Sequence, residues 1–127
     1  MIEKKFLFQH VNSKLIEKMI DDENVNINHM VLPRGDALPE HYSNSNVYML
    51  MIRGNITLKL DDQEEHIYPS GSILSIPYNT KMNVSNQHEE ILEFFVIKAP
   101  SPRIVVTVAK NIEDLCDDKT SLPDLNF

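Results

Sequence analysis

The sequence has a single cysteine, Cys116, so neither an intrachain disulfide nor a cysteine-based metal cluster can form within it. That cysteine lies between Asp114 and the Asp117–Asp118 pair, whose negative charge disfavours a thiolate, so no nucleophile is expected there. No apolar run approaches the roughly 18–20 residues that a membrane-spanning helix needs. The first residues, Met1 to Phe6, carry no signal-peptide core or cleavage site, so a cytosolic location is expected and no membrane partner. Basic clusters are missing too: the net charge is −7, with Lys and Arg scattered, whereas phosphate backbones require grouped cations. Nucleic acid is therefore not an expected partner. Internal repeats and low-complexity segments are also absent.

What remains is the composition of an ordinary globular domain, 42% hydrophobic and 24% charged, which excludes a disordered tract. At 127 residues the chain is long enough to bury a core without covalent staples. Its apolar runs are short, and Gly, Pro, Asn and Asp punctuate them, which predicts strands joined by tight turns. A hairpin is expected with 14–20 pairing against 25–32 around the turn Asp21 to Asn24; a short helix over the first of these is the alternative. In the second strand Val25, Ile27, His29 and Val31 share one face, and Asn26, Asn28, Met30 and Leu32 the other. A loop over 36–46 is followed by 47–52, apolar on both faces, and by the alternating strand 56–60. Further strands are expected over 64–68, 72–77, 82–85 and 90–99, another over 103–109, and one or two helical turns from Asn111. Many short strands at close spacing predict a β-barrel or double-sheet jelly roll.

Gly35, His41 and Gly54, then Gly71, Pro77 and Asn86, fall on the framework of the two cupin motifs, with 55–70 between them. On these residues the chain resembles the cupin superfamily. The resemblance implies an all-β cupin double-stranded β-helix (jelly-roll) barrel with little helix, as a single domain over 1–127. Its barrel core would span about 14–100, with an extension over 101–127. Cupins that bind metal use three His and one Glu. At those positions this chain carries His41, Ser43, Val47 and Met82, so only His41 is a strong ligand for a divalent ion. The resemblance therefore implies no metal cofactor; the alternative is a shifted site using His41 with His29 or Asn46.

By the same resemblance Val47, Met49 and Met51 look into the barrel, joined by Met82. Flexible, polarisable methionines either fill a core or line an apolar cavity. The expected ligand site comprises His41, Ser43, Val47, Met49, Met51, Met82 and Tyr48, for a small, partly apolar molecule. His41 is the best catalytic candidate, because imidazole titrates near neutral pH. A second acid–base group is harder to find among Glu40, Tyr42, Tyr78 and Glu93, while His10, His66 and His88 read as solvated surface. The leading expectation is a small-molecule-binding barrel acting as a homodimer. The alternatives are a metal-dependent oxygenase or isomerase around His41, a metal-free acid–base catalyst, and a filled structural or regulatory barrel.

Overall fold

The structure is a computed structural model, and residues 1–102 are described. In chain order the strands are β1 (Leu15–Asp21), β2 (Asn26–Pro33), β3 (His41–Tyr42), β4 (Val47–Arg53), β5 (Ile56–Leu60), β6 (His66–Tyr68), β7 (Ile73–Ile76), β8 (Lys81–Ser85) and β9 (Ile91–Lys98). They form two antiparallel sheets, ordered β1-β2-β9-β4-β7 and β3-β8-β5-β6. The strand expected over 103–109, the helical turns from Asn111, and Cys116 lie outside the described residues. No helix among the described residues is long and apolar enough to cross a membrane.

Local chemistry sets the turns. Between β1 and β2 the Asp22 carboxylate accepts from the amides of Asn24 (2.8 Å) and Val25 (3.0 Å), closing the hairpin that the Asp-rich turn predicts. Gly54, between β4 and β5, has φ +79°, and a Cβ there would lie 2.3 Å from the Ile91 carbonyl oxygen. Only glycine satisfies both the left-handed backbone and the close approach of β9.

Alternation then decides which side chains enter the core. Met30 and Leu32 on β2, Val47, Met49 and Met51 on β4, and Phe94 on β9 are all at most 2% exposed and pack between the sheets. Ile56 and Leu58 on β5 and Met82 and Val84 on β8 close the core from the other side. The outer face of the five-stranded sheet is also apolar, as the two-faced sequence of β4 predicts. There the chain before β1 crosses it, and the Phe8 ring packs edge-on against Phe95 and tilted against His29, with ring centres 5.0 Å and 4.8 Å apart.

Candidate functional site

The four positions that the motif resemblance singled out are close in space but unequal in chemistry. His41 lies on β3, a two-residue strand where a loop was expected, and pairs with Met82 of β8. Cross-strand partners share a face, so both side chains belong to the barrel interior. The His41 Nδ1 lies 2.9 Å from the Pro39 carbonyl oxygen, which accepts only if that nitrogen carries the proton. Burial, and less strongly the charge of Lys98, lower the His41 pKa; the hydrogen bond to Pro39 opposes them. The neutral imidazole is therefore favoured at neutral pH, with Nδ1 as donor and Nε2 in its acceptor form.

Ser43 does something other than face a ligand. Its hydroxyl donates to the Pro77 carbonyl oxygen (2.7 Å) and accepts from the Thr80 amide (2.8 Å). Its backbone closes the same loop through Ser43 N to Thr80 O and Asn79 N to Ser43 O. The side chain thus fastens the loop of the second motif to that of the first. Val47, Met49, Met51 and Met82 all look inward, each at most 2% exposed within the packed core.

Two expected site residues point elsewhere. Tyr48 alternates with Val47 and Met49, so it occupies the outer face of the sheet, 37% exposed, and does not line the interior. His29 alternates with Met30 and also faces out, fully buried beneath the chain preceding β1. Its Nδ1 lies 2.7 Å from Glu17 and its Nε2 2.7 Å from Glu93. Ionised carboxylates only accept, so both ring nitrogens donate, as only the imidazolium can. Glu93 also accepts from Arg53 Nε at 2.7 Å, while Arg53 donates to Asn12 and to the Val11 carbonyl oxygen. Burial is the largest influence on Glu93 and opposes its ionisation. The hydrogen bonds from His29 and Arg53 together outweigh it and hold the carboxyl below its usual range. Glu93 is thus both outward-facing and buried.

A divalent metal does not fit this donor set. His41 faces a thioether, the Ser43 hydroxyl is committed to its loop, Val47 has no donor atom, and His29 looks out through the opposite face of the sheet. Asn46 is exposed at the rim and accepts from the Tyr78 amide at 3.3 Å. Among the described residues no three His, Cys, Asp or Glu come together as metal ligands. The second acid–base group sought near His41 is not supplied by Glu40, Tyr42 or Glu93. Glu40 is exposed and accepts from Asn83, and Tyr42 alternates away from His41 on β3.

The interior does hold a group that sequence reasoning missed. On β9, Leu92, Phe94, Val96 and Lys98 share one parity, and the first three lie in the core. Lys98 pairs with Asn26 on one side and Val47 on the other, and is 3% exposed. Burial, and secondarily the Lys18 charge, lower its pKa to about 8. Asn26 and Asn28, 7% and 2% exposed, follow Met30 and Leu32 in parity, so one end of the inner face is polar. The signal was available in that parity, once β9 was known to be central.

No family model matches the sequence. The chain is 50% identical over 104 residues to an uncharacterized protein of Methanocaldococcus jannaschii, covering 81% of this chain and 90% of that protein. A crystal structure from that organism, described as an RmlC-like cupin family protein with a double-stranded β-helix fold, superposes with a TM-score of 0.80. It is 49% identical, over 83% of this chain and 97% of that one. An RmlC-like cupin protein from Desulfovibrio desulfuricans shares the fold at a TM-score of 0.65 and 21% identity, over 80% and 98% of the two chains.

Proposed function

This chain belongs to the RmlC-like cupin family, and from that premise we propose that it binds a small anionic molecule at the polar end of its barrel, in the cytosol and without a metal. The observation that carries the reading is the buried ammonium of Lys98, on the inner face of the sheet and near enough to His41 for the two charges to repel. Lys98 is a buried titratable group with a lowered pKa on a part of the inner face that Asn26 and Asn28 make polar, and such groups concentrate at functional sites. An anion would meet the Lys98 ammonium there, with the His41 imidazole at the same end of the interior and Val47 supplying apolar contact beside Lys98. Glu40, Tyr42 and Glu93 all turn away from His41, so none of these three joins it at this end of the barrel.

The test is calorimetric titration of the metal-analysed protein with acetate, pyruvate and inorganic phosphate, alongside Lys98→Met and His41→Ala. A ligand at a hundredfold excess over its Kd should add about 2.7 kcal/mol to stability, an effect absent in Lys98→Met. Undiminished binding in Lys98→Met removes the ammonium from the site, and stoichiometric bound iron, nickel, zinc or manganese overturns the metal-free reading. A second reading, a barrel filled by its own side chains, is favoured by the close burial of Met49, Met51 and Met82. It predicts no saturable binding by any probe.

The same proposal includes a homodimer. Tyr48, Ile52 and Ile73, 37%, 40% and 70% exposed, lie on the outer face of β4 and β7 and form an apolar patch that a second copy would cover. Light scattering at micromolar concentration should give twice the 14.7 kDa chain mass, falling towards the monomer in Ile73→Lys. A monomeric parent protein disposes of the dimer.

A further inference from the structure

The four-stranded sheet has an outer face that none of the groups above uses. On β5 and β8 the pairs Thr57 with Ser85 and Lys59 with Asn83 alternate with the core residues Leu58 and Val84, so their side chains stand outward. The segment carrying Ala37 and Leu38 forms a wall beside them, pinned to β8 by the bridge from Ala37 to Ser85 and by Leu38 N donating to Val84 O at 2.9 Å. Glu65 and Gln87 stand at the rim. Together they enclose a half-open groove of about 220 Å³, room for a single sugar-sized ring.

The floor of this groove holds an anomaly. Thr57 is 2% exposed, and its hydroxyl has no hydrogen-bond partner among the described residues. A buried hydroxyl left unsatisfied costs about 1–3 kcal/mol, and each such group in a native fold requires a reason.

The surrounding bonds narrow what could satisfy it. The Lys59 ammonium donates to the Asp61 carbonyl oxygen (2.8 Å), the Asn83 amide donates to Glu40 (3.0 Å), and the Gln87 amide donates to Ser85 Oγ (3.1 Å). One N–H of each is engaged in this way, and the amide oxygens of Asn83 and Gln87 and the Glu65 carboxylate add acceptors, so the groove offers both donors and acceptors. Lys59 and Glu65 cancel in charge, so an anion gains little and meets acceptors. We infer that this groove is a second site, for a small uncharged polyol whose hydroxyls donate to Asn83, Gln87 and Glu65 and pair with Thr57. The exposed Ala37 methyl would meet its carbon face. This site is separate from the barrel interior and does not depend on the reading of Lys98.

Two-dimensional 1H–15N spectra of the full chain, titrated with glycerol, D-glucose and myo-inositol, provide the test. Saturable shifts are expected at Thr57, Asn83, Ser85 and Gln87 with at least one probe. Thr57→Val, which keeps the shape and removes the unpaired hydroxyl, should fold and bind roughly tenfold more weakly, the loss of one good hydrogen bond. Gln87→Ala, at an exposed position, should weaken the same titration, while Lys98→Met should leave it unchanged. The inference is overturned if no probe saturates, if Thr57→Val binds as well as the parent, or if inorganic phosphate displaces the polyol. It is equally overturned if a high-resolution map with the probe present shows only a water on the Thr57 hydroxyl.

Discussion

Glu93→Gln is expected to lower stability by about 3–5 kcal/mol at pH 7, the usual cost of removing one partner from a buried ion pair. The substitution is nearly isosteric, so the loss is not a cavity effect. It arises because His29, fully buried, donates to Glu93 from one ring nitrogen and to Glu17 from the other. A carboxamide presents one acceptor oxygen where Glu93 now serves both His29 and Arg53, and turns an N–H towards one of these donors. The effect should also depend on pH. The Glu93 pKa is lower in the folded state than in the unfolded chain, so its contribution is fully present above the unfolded value, about 4.3. That contribution is lost as the pH falls through the folded value, where the parent carboxyl also takes up a proton. Denaturant melts at pH 7 and in acid should therefore show a gap between parent and variant that narrows as the pH drops. A gap under about 1 kcal/mol at pH 7 would mean that the pair is not held as the distances indicate. A double-mutant cycle with His29→Leu should show strong coupling, since the two residues share one buried contact.

This network was only partly legible in the sequence, for a physical reason. Strand parity is local, so the grouping of His29 with Val25, Ile27 and Val31 could be read from spacing. Which face meets the core is not local. Here both faces of β2 are buried, because the N-terminal chain lays Phe8 over the outer one. An imidazole on an apolar face then looks like a possible barrel ligand although it points the other way. The inward set on β4, a strand apolar on both faces, came only from the motif resemblance, whereas the hairpin depends on periodicity and turn chemistry within a few residues and was legible. The strand carrying His41 was not, since two residues have no period, and the inward aim of His41 came only from the motif resemblance.

Lys98 was overlooked for a related reason. Charged residues in strands mostly face solvent, so spacing alone does not single out a lysine at the end of a strand. The structure buries both charged residues of β9: Lys98 is 3% and Glu93 4% exposed, on opposite faces. Glu93 is surrounded by donors and its pKa falls with its charge favoured, whereas the Lys98 pKa falls because its charge is disfavoured.

Lys98→Met is therefore expected to stabilise the protein, by about 3 kcal/mol at pH 7. The figure follows from the drop in pKa from 10.5 to about 8, at 1.36 kcal/mol for each pH unit. The direction follows from proton counting. Between about 8 and 10.5 the unfolded chain holds a proton on Lys98 that the folded chain has released, so parent stability rises with pH across that window. Below about 8 both states are protonated and the full penalty remains; above 10.5 neither is, and the penalty has gone. The advantage of Lys98→Met should thus be constant through neutral pH, shrink from about 8 upwards, and vanish near 10.5. Denaturant melts of both proteins from pH 6 to 10.5 would trace it, and a variant no more stable than the parent at pH 7 would show that the ammonium is already well compensated. If the barrel binds an anion, the ligand should raise the Lys98 pKa, so binding near pH 8 takes up a proton, detectable as buffer-dependent heat. Methionine would supply stability and lose the ligand together, the trade-off expected where a fold retains a destabilising group for its function.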